Sequence, residues 1–175
     1  MFLKQKMTKS YILILLLTLL HTSLLQAQNP EERIKELGIE LSEPSVPVAN
    51  FVNWRQVGNV IYLSGTGTRV YGKLGEDLTV EEGYAAARLA GIQILSKLKA
   101  AVGDLSNIKQ FVKVRGMVNS SPDFYDQPKV INGFSDLMME VFGEKGKHAR
   151  AAVGHASLPF NMAVEIEVTV EIENY

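Results

Sequence analysis

At 175 residues, 46% hydrophobic and 21% charged, the chain has the length and composition of one globular domain, with no low-complexity tract that would signal disorder. Cysteine is absent, which excludes disulfides, zinc–thiolate sites, a cysteine nucleophile and a lipid-modified cysteine anchor. A formal net charge of −1, with no basic run beyond the first residues, argues against nucleic acid as a partner.

The N-terminal segment differs from the rest. Lys4, Lys6 and Lys9 form a basic start, residues 11–20 are apolar except for Thr18, and small or polar residues lead to Ala27. That order is the pattern of a secretory signal. A membrane anchor is the competing reading, but the apolar run is about half of the ~20 residues that span a bilayer. The expectation is therefore a signal peptide over residues 1–27, cleavage near Ala27, export to the periplasm or the medium, and no stable membrane anchor. Without those three lysines the basic count falls from 18 to 15 against 19 acidic residues, a net charge of −4.

Residues 28–48 read as an N-terminal helix and linker. Pro30 opens a short helix over residues 31–37, Gly38 closes it, and Pro44 and Pro47 mark an extended link. The remaining domain covers residues 49–175. A strand is expected over residues 48–57, then a Gly58-Asn59 turn, then a strand over residues 60–64, the pair forming a hairpin. The small, polar residues 64–68 read as a turn region. They lack the Lys-Ser/Thr step of a phosphate-binding loop.

Thr79 and Glu82 have the spacing of a capping box. Val80, Tyr84, Ala87, Gly91, Ile94, Leu98 and Ala101 then recur at helical period, and Gly103 is a stop. Residues 108–118 read as a strand with Val112, Val114 and Val118 on one face. A second helix starts near Asp126 and Pro128, turns Val130, Phe134, Leu137, Met138 and Val141 inward, and ends at Gly143. A strand is expected over residues 149–157, with a corner at Leu158-Pro159. The last strand is the clearest: Val164, Ile166, Val168, Val170 and Ile172 alternate with Glu165, Glu167, Thr169 and Glu171. The order predicts an α+β fold, a mixed sheet with two helices packed on one face.

Chemistry has few places to sit. His148 and His155 flank Arg150 without a nearby ligand set, so no metal site is expected. No serine lies in a Gly-x-Ser-x-Gly elbow and no dinucleotide fingerprint is present. Arg150 enters a strand whose next residues are small or apolar, so its guanidinium needs an anion: an internal glutamate or a ligand carboxylate. Glu165 stands on the polar face of the last strand, either as a solvated residue or as a base that orients a water.

These residues resemble a known family. Residues 58–65, Gly-Asn-Val-Ile-Tyr-Leu-Ser-Gly, are similar to its first signature; Ala149-Arg150, Leu158-Pro159 and Val164-Glu165-Ile166-Glu167 are similar to its last. The chain resembles the reactive intermediate deaminase (Rid) family, also called YjgF-like or L-PSP endoribonuclease-like, over roughly residues 49–173. The resemblance implies a chorismate-mutase-like fold and a homotrimer with clefts between subunits. It also implies cofactor-free hydrolysis of small enamine or imine carboxylates to 2-keto acids and ammonia. It assigns the substrate carboxylate to Arg150, the attacking water to Glu165, and the pocket wall to Ser64, Gly65 and Phe51. Phe51 stands where the family has a tyrosine, and Ala151 and Ala152 where it has small polar residues or cysteine. The competing function is a non-catalytic trimer that binds a small carboxylate or acts as a chaperone. A ribonuclease, as the older family name suggests, fits the acidic charge poorly.

Overall fold

The computed structural model describes residues 29–173, so the expected signal peptide lies outside the described residues. The first element is α1 (Pro30–Glu36), capped by Asn29, whose side chain accepts from Glu31 N at 2.9 Å. It docks on the main body: Ile34 is buried in the core, and Glu31 takes Lys99 Nζ at 2.5 Å and Leu105 N at 3.0 Å.

The strands are β1 (Trp54–Val57), β2 (Val60–Leu63), β3 (Thr66–Gly67), β4 (Ile108–Asn119), β5 (Ala149–His155) and β6 (Val164–Ile172). The long helices are α2 (Val80–Val102) and α3 (Gln127–Phe142). Both ends of α2 follow from local chemistry: Glu82 N donates to Thr79 Oγ1 at 3.2 Å, Thr79 N donates to Glu82 Oε2 at 2.8 Å, and Gly103 ends the helix at φ 75°.

The sheet runs β1-β2-β6-β4-β5, with β3 also on β6. The strands β2 and β3 share one edge of β6, at Thr169–Glu171 and at Glu165–Ile166 respectively. All pairs are antiparallel except β4 with β5, which are joined through α3 as a crossover. This is the expected α+β architecture, with the short α1 as a third helix.

The core lies between the sheet and the two long helices. The apolar residues of β6 point into it, with Val164, Ile166 and Val170 fully buried, and meet Phe134, Leu137 and Met138 of α3 and Ile94 and Leu98 of α2. Each such side chain contributes roughly 1.5–3 kcal/mol on burial. Helix α2 approaches α3 through small residues. A Cβ on Gly133 would lie 2.0 Å from Tyr84 O, and one on Gly91 would lie 2.9 Å from Leu137 Cδ2. Arg88 and Glu140 (2.6 Å) and Tyr84 Oη and Asp136 (3.0 Å) bridge the same two helices at the surface.

Four local expectations are corrected. The first strand is Trp54–Val57, not residues 48–57, because β2 offers pairing only as far as Leu63 opposite Trp54; Val48 is 89% exposed. Val112 does not share the core face with Val114 and Val118. It bulges from β4 between Phe111, opposite Val170, and Lys113, opposite Thr169, and Phe111 takes the buried place. Residues 66–67, expected as turn, form β3 on the edge of β6. The strand expected over residues 149–157 ends at His155, before a 3₁₀ turn at Pro159–Asn161.

Candidate active site

Arg150 sits on β5 opposite Val114, whose side chain is buried beneath the helices, so the arginine faces α3. Its Nη1 donates to Asn132 Oδ1 and to Ser135 Oγ, each at 2.9 Å. Asn132 and Ser135 lie three residues apart on α3 and therefore share a face. Both hydrogens of Nη1 are thus committed to neutral acceptors, and the Nε–Nη2 edge of the fork remains. No carboxylate among the described residues forms an ion pair with Arg150. Of the two anions that the sequence left open, the internal glutamate is not at this guanidinium.

His148 sets the rest of this cluster. Its Nδ1 lies 2.7 Å from Gly146 O, which only accepts, so Nδ1 carries the proton. Nε2 is then the acceptor for the Ser135 hydroxyl at 3.1 Å, which leaves the Ser135 lone pairs for Arg150. The imidazole also meets Phe134 edge-on, with centroids 5.7 Å apart. Burial pushes the His148 pKa below the ordinary imidazole value; the Gly146 carbonyl opposes this and the Arg150 cation adds to it. The sign for stability follows. The unfolded chain takes up a proton near the ordinary ~6.5, while the folded state refuses it until lower pH. Stability is complete above that ordinary value and is lost as pH falls toward the depressed one. The thermal midpoint is expected to drop between about pH 7 and about pH 5, and His148→Phe to flatten that drop. A His148→Phe protein whose midpoint falls as steeply as that of wild type over this interval contradicts the assignment.

Glu165 lies on the other face of the sheet. It is opposite Met117 on β4 and Gly67 on β3, and half-buried. Its carboxylate covers Gly65 so closely that a Cβ there would lie 2.0 Å from Oε1. Ser64 precedes it, with Oγ donating to Val52 O at 2.6 Å and N donating to Asn53 O at 3.0 Å. Phe51 is half exposed in the segment before β1 rather than in the strand itself. The fold thus brings Ser64, Gly65 and Glu165 together and sets Phe51 one residue from the Ser64 contact at Val52. Burial pushes the Glu165 pKa above the ordinary carboxylate value, the Glu167 charge adds to this, and His155 and Lys97 oppose it. Such a shift moves a carboxylate toward the pKa of a useful base.

Arg150 and Glu165 are therefore on opposite faces, with β4 between their strands. Within one chain they do not converge on one small molecule. Sequence reasoning missed Asn132 and Ser135, and it placed His148 beside Arg150 in the chain without giving it a role there. The i, i+3 polar pair on α3 was the available signal, and it is hidden behind the apolar face of the same helix. No group of three or more His, Asp or Glu residues with metal-holding geometry occurs among the described residues.

A mixed sheet with helices on one face, an arginine on its edge strand and a half-buried glutamate on its centre defines an α+β domain of chorismate-mutase-like architecture. The chain belongs to the YjgF-like, reactive intermediate deaminase family: residues 31–172 match the family described as "YjgF/chorismate mutase-like, putative endoribonuclease". It is similar to Protein TCP17 of Trypanosoma cruzi, at 45% identity over 81% of this chain and 92% of that protein. It is also similar to a 2-iminobutanoate/2-iminopropanoate deaminase of Dermatophagoides farinae, at 32% identity over 73% of this chain and 89% of that one. Among solved structures, a protein of unknown function from Agrobacterium tumefaciens superposes with a TM-score of 0.77 at 46% identity, covering 82% of this chain and 92% of that one.

Proposed function

We propose that the protein is a cofactor-free imine or enamine deaminase that acts as a homotrimer, with sites completed between subunits. The observation that carries this reading is the Arg150 guanidinium, held by two neutral acceptors with its Nε–Nη2 edge uncommitted. Two parallel donors of that kind match a carboxylate. The Arg150 cluster of one copy facing the Ser64–Gly65–Glu165 cluster of another would bring the two halves onto one substrate. Arg150 then takes the substrate carboxylate. Glu165 accepts a proton from a water as the water oxygen bonds to the imine carbon. Glu165 then returns that proton to the nitrogen of the tetrahedral adduct, the C–N bond breaks to release ammonia, the hydroxyl proton passes to solvent as the carbonyl forms, and the 2-keto acid remains. An enamine first takes a proton at carbon to become the protonated imine, the form that the water attacks. An imine is already electrophilic, so orientation and charge supply most of what the reaction needs.

The experiment is release of ammonia and keto acid from freshly generated imino acids, read beside the mass in solution by light scattering. Turnover above buffer and a mass near three times that of one chain are expected; a monomer at micromolar concentration would remove the shared site. A second reading, a trimer that binds small carboxylates without turning them over, is favoured by Phe51, which offers no phenol to the pocket. Carboxylate binding without keto-acid release would select it. Export belongs to the same proposal, supported by the basic and apolar order of residues 4–20. Protein from its native host is expected to begin near Gln28, and a form that retains residues 1–9 contradicts export.

A further inference from the structure

We infer that a cleft of about 420 Å³, bounded by residues 42–45, the outer end of β3 and one face of α2, is a second ligand site for a small aromatic carboxylate, with Lys97 as its anion anchor and Phe160 and Tyr71 as its rim. It does not rest on the reading of Arg150, which lies against α3 and does not line this cleft; nor do Ser64, Phe51 or Glu165.

Three independent features converge there. The first is Lys97. On α2, Gln93, Ser96 and Lys97 follow i, i+3, i+4 spacing and face the cleft together. Lys97 is only 8% exposed, and its Nζ donates to Thr66 Oγ1 at 2.9 Å. An ammonium has three donors, and no carboxylate among the described residues lies within ion-pair distance of it. A buried cation without a contacting anion is costly, and a ligand carboxylate at the cleft floor offsets that cost. Burial pushes the Lys97 pKa below the ordinary lysine value, while the charge of Glu165 opposes the shift from a distance.

The second feature is the rim. Phe160 is 82% exposed and Tyr71 is 54% exposed, and both line the opening. Phe160 and Asn161 sit in succession at φ 55° and 60°, a left-handed pair without glycine. The turn is held from behind: Gly72 N donates to Asn161 O at 2.9 Å, and Asn119 Nδ2 donates to Asn161 Oδ1 at 3.0 Å. A strained backbone that keeps an aromatic ring in water points to a contact the ring makes with something else. The third feature is size and charge. The volume lies within the range of small-molecule pockets. Arg69 and Lys97 face a single lining carboxylate, Glu43, so the cleft favours an anion. The two exposed rings at the rim give a planar aromatic body a surface to stack on that inorganic phosphate cannot use, so an aromatic carboxylate fits the cleft better than a phosphate.

The test is calorimetry with sodium benzoate, and with inorganic phosphate for comparison, on wild type, on Arg150→Ala, and on Lys97→Met and Phe160→Ala each made in the Arg150→Ala background, where only the cleft is left to bind. Benzoate is expected to keep one site per chain in Arg150→Ala, to bind at least about tenfold more weakly once Lys97→Met is added, and several-fold more weakly once Phe160→Ala is added. Phosphate is expected to bind more weakly than benzoate throughout. Phe160 is exposed, so its replacement leaves the core untouched and decides the matter even if Lys97→Met fails to fold. Unchanged benzoate affinity on adding Phe160→Ala, loss of all benzoate binding in Arg150→Ala, or absence of benzoate binding at millimolar concentration overturns the inference.

Discussion

Replacing Arg150 with alanine is expected to cost on the order of 2–5 kcal/mol in substrate affinity or turnover, while replacing Glu165 with glutamine should cost roughly 10²-fold or more in turnover and leave carboxylate binding in place. The two effects differ because the residues do different work. Arg150 has its Nη1 fixed by Asn132 and Ser135, so the fork is oriented before any ligand arrives. Alanine removes the cation and also leaves two acceptors without their donor, an added stability cost of roughly 1–3 kcal/mol per group if it stays buried. Arg150→Lys should recover only part of the loss, since an ammonium has no planar fork. Glu165→Gln keeps shape and removes the base. The pH profile supplies the readout that a structural role would not move. Burial raises the Glu165 pKa, so the acid limb of turnover should lie above the ordinary glutamate value of about 4.3. Turnover should rise with pH through that limb as the carboxylate ionises. Gly65→Ala is a sharper variant of the same test. Its Cβ would meet the Glu165 carboxylate, the free end of a flexible chain, so the fold should hold while turnover falls. Equal binding of a keto acid by Arg150→Ala and wild type would return Arg150 to a structural role.

Gly133→Ala should destabilise the protein by on the order of 3 kcal/mol, although the same change at an exposed helical site would stabilise by about 1 kcal/mol. The sign turns on what the new methyl meets. At Gly133 it would lie 2.0 Å from Tyr84 O and 3.2 Å from Arg88 N, which are backbone atoms of the facing helix. Backbone cannot rotate away, so α2 and α3 must separate, opening the interface that buries Phe134 and Leu137. Gly91→Ala provides the contrast. Its Cβ would meet Leu137 Cδ2 at 2.9 Å, and a leucine methyl can shift. Chemical denaturation at fixed protein concentration should therefore rank wild type, Gly91→Ala and Gly133→Ala in falling order. A Gly133→Ala protein as stable as wild type would mean that the two helices are not in backbone contact.

The elements legible in the sequence are those whose signals are local. The capping box at Thr79 and Glu82, the stops at Gly103 and Gly143 and the strict alternation of β6 involve residues within a few positions of one another, and each element stands where its pattern places it. The two residues singled out for chemistry, Arg150 and Glu165, were legible by type: a cation entering an apolar strand and a carboxylate on a polar face. Their relation was not. A strand has two faces, and which one a residue occupies is defined only relative to its neighbours. The bulge at Val112 shifts the register of β4 against β6, and the pairing of Arg150 with Val114 turns the arginine toward α3 while Glu165 turns away. The partners of Arg150 are likewise tertiary, since Asn132 and Ser135 are 18 and 15 residues distant and meet it only because the crossover lays α3 over β5. Lys97 reads in the sequence as one more lysine on an amphipathic helix. Only the approach of β3 to that helix buries it, because burial depends on what packs across a surface and not on the residues beside it in the chain.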